Sequence, residues 1–492
     1  MYILKNKGIL QLVGLAVIVA LLAVGPLIIE AATIRVPEDY SSIQEAVNRA
    51  SPGDVIVVRA GVYNGFTVSK SLVILGESNE SVIIQGGIEI QANNVRLSSI
   101  KISLSEAAGS SVAVRVIGNN NVLVGVIIES YKYGLQVGDA DHKVSGTVIE
   151  YSKIVSEDIG IFGVCSDLSV FYSEIVSRSK QAVNGCGVLD LEFNSINSIS
   201  GETAISTWGD GSLIKNNNIN GRSTGIYLYG DYQIVNNNVI SGEVGIDLRG
   251  RGITIENNTI SASGTGILIA SHNNVIVGNK ISSAGHAIDL NGNGNLITNN
   301  TLMGGRGVHA SGAYGNTILF NLINMTGNIG VYLSKYTGDN LVYGNTFWYC
   351  YNYEGVDESG KNQWYLENST HKLGNYWSYN KAPDSDGDGI TDEPYHIATT
   401  TGLEILDKYP LAKPLVTPYQ QTPTTTTQPS PPTTTWTTLP TTTETSSDYT
   451  TSTEPSQTTE TSAPKGTIVA TVVIIVLILV LVVGLILLRK RI

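Results

Sequence analysis

From Val55 to Phe347 the chain alternates short apolar runs with polar residues, as in "VIVVRAGVYNGFTV" and "ITIENNTISASGTGILI". A period of two marks strands that bury every second side chain. Helical spacing shows at one place upstream, "YSSIQEAVNRA". There Ile43, Ala46, Val47 and Ala50 share a face, and Ser42 with Glu45 forms a capping box.

The runs repeat. Aligned on Asn-x-(aliphatic or Phe), the asparagines are Asn194, Asn217, Asn237, Asn258, Asn279, Asn300, Asn321 and Asn345. A second motif, (Gly/Ala)-(Ile/Val)-x-x, runs in phase from Ala182, Ala204, Gly225, Gly245, Gly266, Ala287, Gly307 and Gly330. The frame continues upstream with Ser173 and Ser152 at the asparagine position, and Gly160 and Gly134 at the glycine position. A unit of about 21 residues is too short for a propeller blade and lacks a leucine-rich consensus. It fits one coil of a parallel β-helix, an all-β, single-stranded architecture of about a dozen coils. One coil cannot bury its own inner face, but a stack can. Asn258 and Ile260 are two apart and both point inward. A buried amide is costly unless bonded, so the asparagines are expected to bond one another from coil to coil.

This pattern divides the chain. Residues 33–54 form an N-terminal cap, 55–347 the β-helix, and 348–416 an aromatic C-terminal cap with an Asp-rich loop. Residues 417–465, nearly all Thr, Ser and Pro, cannot bury a core and read as an extended stalk of on the order of 150 Å. Residues 466–488 are an apolar run long enough for a transmembrane helix, and "RKRI" at 489–492 is the cytoplasmic tail. Residues 1–32 read as a signal peptide or a signal anchor. The head is therefore expected outside the cell, on a single-pass membrane anchor.

Composition agrees. Hydrophobic residues make up 42% of the chain, charged residues only 15%, and there are 52 glycines. The net charge of -12 speaks against a nucleic-acid partner. Three cysteines are too few for a disulfide scaffold. Cys165 and Cys186 lie one coil apart, but their register against the glycine motif differs by one.

"SIQEAVNRASPGDVIVVRAGVYNG" resembles the opening of pectate-lyase-like β-helices. The Asn-x-Ile coils, with "GNYWSYNKAPDSDGDGITDEPYHI" and "DKYPL", resemble the NosD family of carbohydrate-binding and sugar-hydrolase (CASH) repeats. The likeness covers residues 35–414. It implies a right-handed parallel β-helix at the outer side of a membrane, of a kind found in polysaccharide-binding proteins, lyases, hydrolases, epimerases and archaeal surface proteins. NosD's link to copper-site maturation does not carry over, because soft copper ligands are sparse here.

Two groups of residues carry candidate chemistry. "DSDGDGITD" has calcium-loop spacing: carboxylates Asp384, Asp386, Asp388 and Asp392 at positions 1, 3, 5 and 9, and the Ile390 carbonyl at 7. Tyr395 stands where the loop's bidentate Glu belongs. Calcium in a structural role is the expected cofactor. In "G-I-x-L" the middle residue faces outward, so Tyr227, Asp247, Leu268, Asp289, His309 and Tyr332 form a column. Tyr229, Arg249, Ala270, Asn291 and Ser311 form a second beside it. Tyr faces stack on sugar rings while Asp and Arg bond hydroxyls. A polysaccharide track through Tyr227, Asp247, Arg249, Asp289, His309 and Tyr332 is therefore expected.

Asp247 and Asp289, about 9.6 Å apart at two coils, are the candidate catalytic carboxylates, with His309 as a base paired to Asp289. No motif of a known lyase or hydrolase family is present. Binding without catalysis is the first reading, polysaccharide processing the second, and a structural envelope or adhesin role the third. The cap around Trp364 and Trp377 is a further candidate surface. Asn79, Asn257, Asn299, Asn324 and Asn368 head glycosylation sequons.

Overall fold

The computed structural model describes residues 31–324 and 327–415. The stalk, the apolar segment 466–488, the basic tail and almost all of residues 1–32 lie outside the described residues. Among the described residues no helix is long and apolar enough to cross a membrane.

The chain winds into a parallel β-solenoid. A first sheet holds 15 strands, one per coil, from Thr33–Val36 to Leu341–Tyr343. That exceeds the expected dozen, because the strands stack every 21 residues or so and Thr33–Val36 adds a coil before Val55. Two further ladders complete each coil. One runs through strands such as Thr301–Met303 and Leu322–Asn324, the other through His286–Leu290 and Arg306–Ala310. They merge where a strand turns the corner unbroken, as in Val239–Leu248 and Thr259–Ile269. Inward Ile, Val and Leu from all three ladders form one continuous core.

The asparagines hold the bend between the first and second ladders. Asn258 is buried, and its backbone N–H and Nδ2 both donate to Asn279 Oδ1 (2.9 and 3.0 Å). The same pair of bonds links Asn194, Asn217, Asn238, Asn258, Asn279, Asn300, Asn321, Asn345 and Asn375 in turn. Asn238 takes the place expected for Asn237, since it is the residue two before the inward Ile240. Asn237 instead has φ 55°, in the left-handed region. So do Asn216, Asn257 and Asn299, each just ahead of a ladder residue. Asparagine tolerates that conformation better than other non-glycine residues. The triplet Asn236-Asn237-Asn238 thus ends a strand, makes a left-handed turn and bonds the next coil. Ser152 and Ser173 fill the ladder upstream through their hydroxyls.

A second ladder runs along the bend before the first sheet, through Asn274, Asn295, Asn316, Asn340 and Asn362.

Both ends are closed. At the first coil the helix α1 (Ile43–Arg49), capped by Ser42 Oγ on Glu45 N–H, covers the core. Gln44 bonds both peptide groups of Thr67, as a neighbouring strand would. Lys70 Nζ donates to the carbonyls of Val47, Asn48 and Ala50. On the free edge of Thr33–Val36, Arg35 N–H is taken by Asp39, which blunts the edge against pairing.

At the far end Asn375 donates to Asp407 Oδ2, as does Trp377 Nε1 (2.9 Å). Asp407 therefore terminates the asparagine ladder, and its burial raises its carboxyl to about 6. Trp377 is sandwiched between Phe347 and Tyr395, each 4.3 Å away. Trp364 and Trp377 are 0% and 1% exposed. They are core, not the candidate surface expected of them, because the irregular cap needs large side chains to plug the last coil.

Candidate functional site

The third ladder sets the outward columns. Ser206, Tyr227, Asp247, Leu268, Asp289, His309 and Tyr332 pair in succession, one per coil. Flanking aliphatics such as Ile246 and Leu248 are buried, so strand alternation drives these side chains out. The row spans about 29 Å at a coil spacing of ~4.8 Å.

Its first end is aromatic. Tyr227 and Tyr229 cluster with Trp208, which extends the second column one coil earlier. The Trp208 ring lies 4.4 Å from Tyr229 and 6.2 Å from Tyr227. Trp208 and Tyr229 are 47% and 51% exposed, so beside their mutual contact each keeps part of its ring open to solvent. Next comes a bidentate ion pair. Arg249 Nε donates to Asp247 Oδ1 (2.6 Å) and Nη2 to Oδ2 (3.0 Å). This pairing is the main cause holding the Arg249 guanidinium above its ordinary pKa.

The other end is cationic and aromatic. His309 Nδ1 is 3.0 Å from Asp289 Oδ1. The His309 ring stacks between His286 (4.6 Å) and Tyr332 (5.5 Å), and the Arg306 guanidinium lies 4.8 Å over the Tyr332 ring. Burial is the first cause that lowers the His286 pKa, followed by the His309 charge. Asp247 is thus paired with Arg249 and Asp289 with His309, with Leu268 between them. Neither directs a free carboxylate at the other, and the paired-carboxylate arrangement expected of an inverting hydrolase finds no added geometric support.

Three members of this surface escape the two expected columns. Trp208 follows the glycine-phase motif starting at Ala204 and was readable by extending the column one coil. His286 and Arg306 sit just before Ala287 and Gly307, at the strand start, where alternation alone does not fix direction.

In the Asp-rich loop, Asp384, Asp386 and Asp388 bring carboxylate oxygens within 4.8 Å of one another. Asp392 is turned away, accepting from Ser385 N–H and Oγ. The Ile390 N–H donates to Asp388 (2.8 Å), and Ile390 pairs with Leu411. Tyr395, at the twelfth loop position, is committed to the core: its ring stacks on Trp377 and its hydroxyl bonds Glu354. Cys165 and Cys186 are free thiols, and Cys165 N–H donates to Cys186 Sγ (2.5 Å).

A family model described as a right handed beta helix region matches residues 203–347 and 244–375. The matched stretches cover the later coils of the solenoid. No curated protein matches the chain. Among solved structures it is similar to a PL6 alginate lyase in complex with a trisaccharide, at 13% identity over 77% of this chain and 92% of that one, with a TM-score of 0.43. It is similar to the A-module of the Azotobacter vinelandii mannuronan C-5 epimerase AlgE4, at 11% identity over 56% and 88%, TM-score 0.40. It is also similar to the Agl-KA catalytic domain, at 16% identity over 63% of this chain and 66% of that chain's length, TM-score 0.40.

Proposed function

We propose that this protein binds an extended polysaccharide or glycoconjugate chain laid along the third ladder, parallel to the solenoid axis. The observation that carries the reading is the row itself. Partly open aromatic faces at Trp208, Tyr227 and Tyr229, the Asp247–Arg249 pair, and the Asp289–His309–Tyr332–Arg306 group occupy one face on consecutive coils. Aromatic faces take the apolar side of a sugar ring, and paired charges bond its hydroxyls. A rigid scaffold fixes both without loop ordering, which lowers the entropic cost of binding a flexible chain.

The head is displayed outside the cell, with residues 466–488 as its membrane anchor and 417–465 as its stalk. Calcium stiffens the C-terminal cap. Two oxygens each ~2.4 Å from one cation lie at most ~4.8 Å apart, and the carboxylates of Asp384, Asp386 and Asp388 meet that limit. The ion would neutralise three clustered charges in a loop that Ile390 and Gly389 tie to the last described segment.

The test is a glycan array probed with the full-length chain in detergent. Binding is expected to strengthen with oligosaccharide length. Trp208→Ala and Arg306→Ala are expected to weaken every hit, on the order of tenfold or more each. Hits that both variants retain at full strength would place the ligand elsewhere. No turnover of the bound glycans is expected.

A further inference from the structure

The first sheet exposes its whole outer face, and that face is unusually apolar. Val73 and Leu75, Val122 and Val124, and Val275 and Val277 occupy the outward positions of their strands, where the third ladder carries mainly polar groups. Half-exposed aliphatics continue over much of the sheet's length, interrupted by a few charges: Arg35, Arg96, Glu150, Asp190, Glu192, Lys215 and Glu256.

The order of those residues is self-complementary. Consider a twofold axis parallel to the strands, passing between the seventh strand (Leu168–Phe171) and the eighth (Leu189–Glu192). It sets two copies face to face with their solenoid axes antiparallel. The third strand then meets the twelfth, so Val73 and Leu75 lie on Val275 and Val277 of the second copy. Val122 meets Ile234, and Val148 meets Leu213. One pair of opposite charges falls directly in register, Glu150 on Lys215; Arg96 meets Thr254, two residues from Glu256 on the same strand, and Glu192 meets the Phe171 ring. Asp190 falls opposite Ser169.

Two alternative arrangements fail this comparison. Moving the axis onto the eighth strand sets Asp190 and Glu192 against themselves. A twofold along the solenoid axis sets each charged strand on its own copy. Like charges in contact cost several kcal/mol. The fourteen overlapped strands form a strip about 62 Å long and ~10 Å wide. Doubled over two copies, that is about 1,200 Å², the lower bound for a specific interface.

We propose that the first sheet is a homodimer interface, with two copies packed face to face and antiparallel about this axis. The proposal is independent of the glycan track, which lies on another ladder.

The test uses the full-length chain in its native membrane. Val73 and Val275 are nine strands apart within one chain, about 43 Å, so a short bis-maleimide joins them only between copies. The double variant Val73→Cys/Val275→Cys is expected to give a covalent dimer well beyond the background set by the native cysteines. Each single variant is expected to stay at that background. Absence of the extra dimer, or equal crosslinking by a single variant, overturns the arrangement.

Charge reversal is the second measurement, read as dimer fraction by analytical ultracentrifugation in detergent. Arg96→Glu and Glu256→Arg are each expected to weaken the dimer on the order of tenfold, and the combined variant to recover it. The two positions are seven strands apart in one chain, so recovery comes only from contact between copies. A combined variant no better than the singles overturns the register, and wild-type protein that stays monomeric overturns the interface.

Discussion

Asn279→Ala removes one rung of the buried amide ladder and little else. In the native coil Asn279 Oδ1 accepts from Asn258 N–H (2.9 Å) and Asn258 Nδ2 (3.0 Å). Its Nδ2 donates to Ile255 O (2.8 Å), Val277 O (3.1 Å) and Asn300 Oδ1 (3.0 Å). Alanine leaves Asn258 N–H buried with no acceptor, at about 1–3 kcal/mol. Asn258 Nδ2 keeps the Val235 and Glu256 carbonyls, so its loss is small. The carbonyls abandoned by Asn279 Nδ2 have a second lone pair for other partners, and they add about 1 kcal/mol. The sum is about 2–4 kcal/mol, concentrated on one coil.

A solenoid's stability is shared between neighbouring repeats, so amide hydrogen exchange reports the effect more directly than a melting curve. The Asn258 amide is expected to lose roughly 30- to 1,000-fold of its protection, since 1.4 kcal/mol is tenfold. Asn257→Gly is the control: that residue is exposed, with φ 56°. Glycine takes a left-handed φ readily, so the change should stay under about 0.5 kcal/mol. Wild-type protection at Asn258 in the Ala variant would refute the ladder as a source of stability.

Three further outcomes follow from the same geometry. The Asp407 carboxyl is raised from 3.8 to about 6 by burial, so the folded state binds this proton more tightly than the unfolded chain. Its contribution is therefore full below pH 3.8 and falls by on the order of 3 kcal/mol as pH rises to 6. Melting of wild type against Asp407→Asn between pH 3.5 and 7 should show the steeper decline in wild type, since the buried Glu354 carboxyl, also raised, titrates in both. Calcium chelation should lower the melting temperature of the cap, and Asp386→Ala should melt the same with and without chelator; a chelator-insensitive wild type counts against the metal. Asp247→Asn breaks the charge pairing with Arg249 and should cost about 1 kcal/mol of stability while weakening glycan binding. Equal binding by this variant would remove Asp247 from the track.

The coils were legible because their physics repeats. Each inward Ile answers to the same burial in every turn, so period and register survive in the sequence. The amide ladder was legible for the same reason, apart from one slip. In Asn236-Asn237-Asn238 three identical residues hide which one points inward, and only the distance to Ile240 decides. The second ladder obeys the same Asn-x-aliphatic rule, in "NVI" from Asn274 and "NLI" from Asn295, and was open to the same reading. The C-terminal cap has no period. Nothing in the sequence around Trp364 and Trp377 distinguishes an aromatic surface from an aromatic plug, and the structure makes them the plug. At the glycan track the column was legible and the pairings were not: Arg249 locks onto Asp247 two residues away on its own strand, and His286 and Arg306 enter from the strand starts.

Because each rung bonds an identical rung one turn away, the solenoid's length comes in whole steps. Thr259 lies over Lys280, 21 residues on. Excising 259–279 would join Asn258 directly to Lys280, the residue that normally follows Asn279. Inward positions, left-handed turn and amide acceptor would all be restored, in a rod one turn, ~4.8 Å, shorter. Excising 20 or 22 residues from the same start would put the strand after the join one residue out of register, with its side chains on the wrong face until the next bend absorbs the difference. Such a molecule can lengthen or shorten by duplicating or dropping single turns, and anything that reads distance along its surface reads it in that fixed increment.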